Sequence, residues 1–199
     1  MRPWAGLLVG SLLLTAQPQV QPRLSRADGD RFQSKLTQIV ERGNTPRPAR
    51  PAAQSTVVSD AEINAYLRYH AQEQIPVGIV DPILNAHGDG IVSGRAIVDL
   101  DAVRKQRQRG WLDPMGYLTG RMPLTARGRL TTQNGMGRFL LESAEISGVT
   151  VPKTLVQELL SFYSRTPEDP DGINMDDPFE LPAQIREIRV APGAATIVQ

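Results

Sequence analysis

Residues 118–130, LTGRMPLTARGRL, restrict the fold more than any other part of this chain. Leu118, Gly120, Met122, Leu124, Ala126, Gly128 and Leu130 fall on one side of an alternation. Thr119, Arg121, Pro123, Thr125, Arg127 and Arg129 fall on the other. Successive side chains of a strand point to opposite faces, so the stretch predicts one strand with an apolar face and a basic face. At about 3.4 Å per residue it would run for roughly 44 Å, about twice the usual strand. Three of the seven apolar-side positions are Gly or Ala and none is aromatic. Such a face either closes into a core or leaves room for an apolar guest.

The flanking segments extend the pattern. Val92, Gly94, Ala96, Val98 and Leu100 share one face of a strand predicted over 91–101, and His87-Gly88-Asp89-Gly90 turns into it from an extended stretch at 76–84. Gln133-Asn134-Gly135 turns the chain from the long strand into the next, 137–146. Upstream, Thr56-Val57-Val58 forms a brief strand. Ser59-Asp60-Ala61-Glu62 is a capping box opening a helix with Ile63, Tyr66, Leu67 and His70 on its apolar stripe. Downstream, Val151-Pro152 introduces a helix over 153–164 with Leu155, Leu159 and Phe162 at helical spacing. Segments 181–190 and 194–198 then form a closing hairpin across Pro192-Gly193. These elements predict an α+β domain over 55–199. A separate N-terminal helix is expected at about 30–42, with Phe32, Leu36, Ile39 and Val40 on one face. The proline-rich arm 43–54 follows it, so that 17–54 reads as tether, helix and arm.

The first 16 residues, MRPWAGLLVGSLLLTA, place Arg2 before an apolar run and a small residue at the end, the layout of a secretory signal peptide. The run from Trp4 to Leu14 is short of the roughly 20 apolar residues that span a bilayer; an uncleaved N-terminal anchor is the competing expectation. The absence of Cys excludes disulfides, thiolate metal sites and lipid attachment to cysteine. Together these features point to the periplasm or secretion from a bacterial envelope.

Little in the chain suggests a reaction. The two histidines, His70 and His87, lie on a helix stripe and in a turn, so no metal or other cofactor is expected. Asp169, Asp171, Asn174, Asp176 and Asp177 supply calcium-type oxygens without the spacing of a calcium loop, and read as a solvated acidic loop. Asp99 and Asp101 share a strand face, but Arg104 and Lys105 follow as neutralising neighbours, and no catalytic residue is assigned. Charge is uneven: nine basic and three acidic residues over 91–140, three basic and ten acidic over 141–187. Arg104, Lys105, Arg107 and Arg109 beside Trp111 suit the anionic surface of a membrane. Nucleic acid is not expected as a partner of an exported protein.

ISGVTVPKTLVQELL (146–160) followed by PFELPAQIREIRVAPGAATIVQ (178–199) resembles the LmeA-like phospholipid-binding proteins of bacterial envelopes, which share the style of tubular lipid-binding domains. The opening helix SDAEINAYLR (59–68) is similar too. The resemblance covers about 55–199 and implies a long, curved antiparallel sheet packed on one or two helices, with acyl chains in an apolar groove. On this chain it implies a lining of Leu118, Met122, Leu124, Ala126, Leu130, Phe139 and Leu141, with Leu155, Leu159 and Phe162 from the helix. Gly94, Gly120, Ala126 and Gly128 would leave the room. The expected function is thus binding of a phospholipid or similar amphiphile without catalysis. The alternative is a periplasmic structural or adaptor domain with a closed core that binds a protein partner.

Overall fold

The computed structural model describes residues 24–46, 52–102, 119–167 and 169–199. The leader at 1–16 and the basic cluster Arg104, Lys105, Arg107, Arg109 and Trp111 lie outside the described residues. In chain order the elements are α1 (Arg26–Asn44), β1 (Ser55–Ser59), α2 (Asp60–Tyr69), β2 (Ile79–Gly88), β3 (Ile91–Asp99), β4 (Arg121–Gln133), β5 (Met136–Ile146) and β6 (Val149–Thr150). They continue with α3 (Lys153–Ser164), β7 (Phe179–Glu180), β8 (Glu187–Ala191) and β9 (Ala194–Val198). The class is α+β, as the sequence predicts. A six-stranded antiparallel sheet runs β2-β3-β4-β5-β6 with β7 added to β5, and a three-stranded sheet runs β1-β9-β8.

Local chemistry accounts for most boundaries. Ser59 accepts from the Glu62 N–H while the Glu62 carboxylate accepts from the Ser59 N–H, the reciprocal box that starts α2. Ser25 and Asp28 repeat it at α1. The two long hairpins turn on Asp89-Gly90 and Asn134-Gly135, all four residues at positive φ, which matches the right-handed twist of the strands they join.

The sequence predicts an N-terminal helix standing apart from the domain, and it is instead built into it. Phe32 meets Tyr66 edge to face at 5.1 Å, and Lys35 Nζ donates to both Glu62 oxygens at 2.7 and 2.8 Å. Ile39 is buried with Leu181 and Ile185 in the core, against which Ile188 and Ile197 pack. The buried Gln199 side chain donates to the carbonyls of Ile39 and Ala183, tying the last residue to α1. An amphipathic helix must bury its apolar stripe, and α2 with the small sheet supplies the surface. Leu181 to Ile185 accordingly form this core's loop, and the closing strand starts only at Glu187.

The core occupies one end of the large sheet. Thr132 Oγ1 of β4 accepts from the Ile188 N–H at 2.7 Å and donates to its carbonyl at 3.0 Å, joining the two sheets. Along the outer edge of β2, α2 offers side chains in place of a neighbouring strand. Asn64 pairs with the Leu84 N–H and C=O, both at 2.8 Å, and Asp60 accepts from the Ala86 N–H. These contacts occupy an edge that would otherwise be open to pairing with another chain. From there the long strands run on, away from the core.

Candidate functional site

β4 shows the predicted alternation in its exposure. Met122, Leu124, Ala126, Gly128, Leu130 and Thr132 are shielded; Arg121, Pro123, Thr125, Arg127, Arg129, Thr131 and Gln133 are exposed. The strand begins three residues later than the sequence pattern suggests. Gly120 sits at φ +84° outside it, with its N–H on Asp101 and, among the described residues, nothing within 4 Å of where a Cβ would stand. It therefore stands ahead of the strand's alternating face, and Leu118 lies outside the described residues.

Register places the other expected residues beside β4. Val98 pairs with Met122, and Ala96 with Leu124. Gly94 pairs with Ala126 and Val92 with Gly128, so the small-residue face of β3 continues that of β4. On the far side Ala126 pairs with Ala144, Gly128 with Leu141 and Leu130 with Phe139. In β5 the sequence alternation is broken, because Phe139 and Leu141 differ in parity from Ala144 and Ile146. A bulge at Glu142 absorbs the extra residue, so all four share the apolar face. Glu142 then stands on the opposite face, 3.5 Å from both Arg127 and Arg129.

The room expected at Gly128 is filled. An added Cβ there would lie 2.6 Å from the Leu140 carbonyl oxygen and against the Phe139 ring, so the glycine is the seat of that ring. Gly137 seats Phe179 in the same way. Aromatic rings covering strand glycines restore the contact that a missing side chain forgoes. Gly94 is less crowded, with Leu84 Cδ2 at 3.4 Å from its would-be Cβ.

What remains is a half-covered surface. Met122, Leu124, Leu130, Phe139 and Leu141 are each partly exposed, and among the described residues no large side chain is fully buried. On α3, Leu159 is half-buried and Leu155 is exposed, while the Phe162 side chain lies outside the description. The polar side of α3 holds the acidic segment: Gln157 bonds Ile173 and Met175, Ser164 accepts from the Ile173 N–H, and Lys153 pairs with Asp176. Among the described residues no group of three or more His, Asp or Glu could hold a metal ion.

The other charged candidates hold structure together. The Ala102 N–H and the Arg121 guanidinium keep the Asp99 carboxyl below its usual range. His87 shares a hydrogen bond with Ser93 Oγ at 2.7 Å. His70 lies against Tyr66, with Nε2 at 2.8 Å from Asp30.

A cleft of about 640 Å³, lined by none of the residues expected to hold lipid, lies between α2, the 72–78 loop and the first half of β2. Its aliphatic walls include Leu67, Ile75, Val77 and Ile79. The run Ile75-Pro76-Val77-Gly78-Ile79, apolar just past a helix end, was the signal available for it.

No family model matches the chain, and no curated protein matches it. Among solved structures it is similar to one titled as a crystal structure of lipopolysaccharide binding protein, at TM-score 0.23 and 14% identity, covering 78% of this chain and 46% of that one. The chain thus spans under half the length of that structure, and a likeness of this size fixes neither fold nor ligand. Among the described residues no helix is long and apolar enough to cross a membrane.

Proposed function

We propose that this protein is an exported, non-enzymatic binder of a phospholipid or similar amphiphile, carried on the apolar face of the large sheet in the manner of the LmeA-like proteins it resembles. One observation carries the reading: the apolar face formed by Met122, Leu124, Leu130, Phe139 and Leu141 stays half-open, while the tight core assembles elsewhere around Ile39, Leu181 and Ile185. An acyl chain laid on that face gains about 0.8 kcal/mol for each methylene it buries. Arginines on the reverse face, and the basic cluster 104–109 with Trp111, would bring the protein to an anionic membrane.

A second reading, an adaptor domain with a closed face, draws support from the rings seated on Gly128 and Gly137. The test is lipid mass spectrometry on solvent extracts of the full chain purified after export, alongside native mass spectrometry. A stoichiometric amphiphile supports the binder. A clean apo mass with no uptake from added vesicles leaves the adaptor.

A further inference from the structure

The cleft beside α2 carries two features that belong together. Apart from Arg68 and Asp81 its lining among the described residues is uncharged, and these two bear opposite signs. Neither forms an ion pair with the other or with any described residue. Both are exposed, and the Arg68 guanidinium lies 5.8 Å from the Tyr69 ring centroid. Asp81 sits at φ +48° in the bulge that interrupts β2 between Val80 and Ile83. Val80, Asp81, Pro82 and Ile83 of this bulged stretch all line the cleft.

The cleft lining continues into the large sheet. Ile79 lines the cleft and pairs with Val98, which pairs in turn with Met122. Directly paired residues share a face, so an aliphatic row runs from the cleft onto the half-open apolar surface.

From this juxtaposition we infer that the cleft is the head-group subsite for a zwitterionic phospholipid, with Arg68 receiving the phosphate and Asp81 the ammonium, and the acyl chains leaving over Ile79. This rests on the amphiphile-binding reading and adds the class of lipid. A purely anionic head group would satisfy Arg68 and be repelled by Asp81, whereas a phosphate bearing an amine satisfies both. The volume falls within the roughly 300–1,000 Å³ of ordinary ligand sites.

The test offers the full chain equimolar vesicles of phosphatidylethanolamine and phosphatidylglycerol, and counts bound lipids by native mass spectrometry. We expect phosphatidylethanolamine to be retained about fivefold over phosphatidylglycerol. Asp81→Asn should bring that ratio close to unity, and Asn tolerates the positive φ, so the fold is spared. Arg68→Gln removes the phosphate contact that both lipids share and should lower the occupancy by each while the preference stays. No preference in the parent protein, an unchanged ratio in Asp81→Asn, or an unchanged occupancy in Arg68→Gln overturns the head-group subsite and leaves the apolar face standing. Lipid taken up from neither vesicle overturns the amphiphile reading itself. Free phosphoethanolamine binding as tightly as the lipid would overturn a lipid source for the ligand.

Discussion

Replacing Gly128 by alanine separates a roomy sheet from a packed one. An alanine Cβ would stand 2.6 Å from the backbone oxygen of Leu140 and 2.7 Å from Phe139 Cε2. The ring can swing aside, but the carbonyl belongs to the strand beside the bulge and moves only with its neighbours. Overpacking of this kind costs about 1–3 kcal/mol. With a urea m-value of about 2 kcal/mol/M, an expected loss near 2 kcal/mol lowers the midpoint by about 1 M. The measurement is urea unfolding of the purified chain followed by circular dichroism. Adding Phe139→Leu should recover only part of the loss, since the carbonyl contact persists. A change below about 0.5 kcal/mol, accompanied by reduced lipid uptake, would refute the reasoning and return Gly128 to the list of positions that leave room for a ligand.

Other perturbations probe other parts of the molecule. Ile39→Ala should cost about 2–4 kcal/mol in the same unfolding experiment, because the side chain lies in the core; an appended helix would lose almost nothing. At Glu62 burial opposes the charge, but the Lys35 ammonium and the Ser59 donors outweigh it and hold the carboxyl below its ordinary value of 4.5. Its contribution is therefore complete above that pH and is lost as pH falls through the lowered folded value. Glu62→Gln should cost about 1–3 kcal/mol at pH 7 and flatten the acid limb of a stability-against-pH curve; a limb as steep as the parent's would show that another group produces it. Leu124→Arg on the half-open face should abolish lipid co-purification while the unfolding midpoint falls by less than about 0.5 M urea. A collapse of the fold would show that the face is closed.

Elements governed by neighbours in sequence were legible in advance. The capping box at Ser59, the Asp89-Gly90 and Asn134-Gly135 turns and helix α3 appear where their residues indicate, since each depends on hydrogen bonds and φ values spanning a few positions. The alternation of β4 was legible for a related reason: a strand's side-chain period is two regardless of its partner. Its true start was not, because Gly120 marks the break only through a backbone angle.

Local conformation and the existence of an apolar strand face backed by arginines thus follow from residue order. Tertiary structure alone decided which atoms meet across long separations. The bulge at Glu142 aligned Phe139 and Leu141 with Ala144 and Ile146 against their parity, Phe139 occupied the space over Gly128, and α1 became part of the core through Ile39 and Gln199. The cleft beside α2 belongs to the same class, because it exists only where a helix, a loop and a bulged strand edge converge. Composition and periodicity state which side chains share an element's face; the register of strands and the seating of helices state what those faces touch, and burial energies follow from the second.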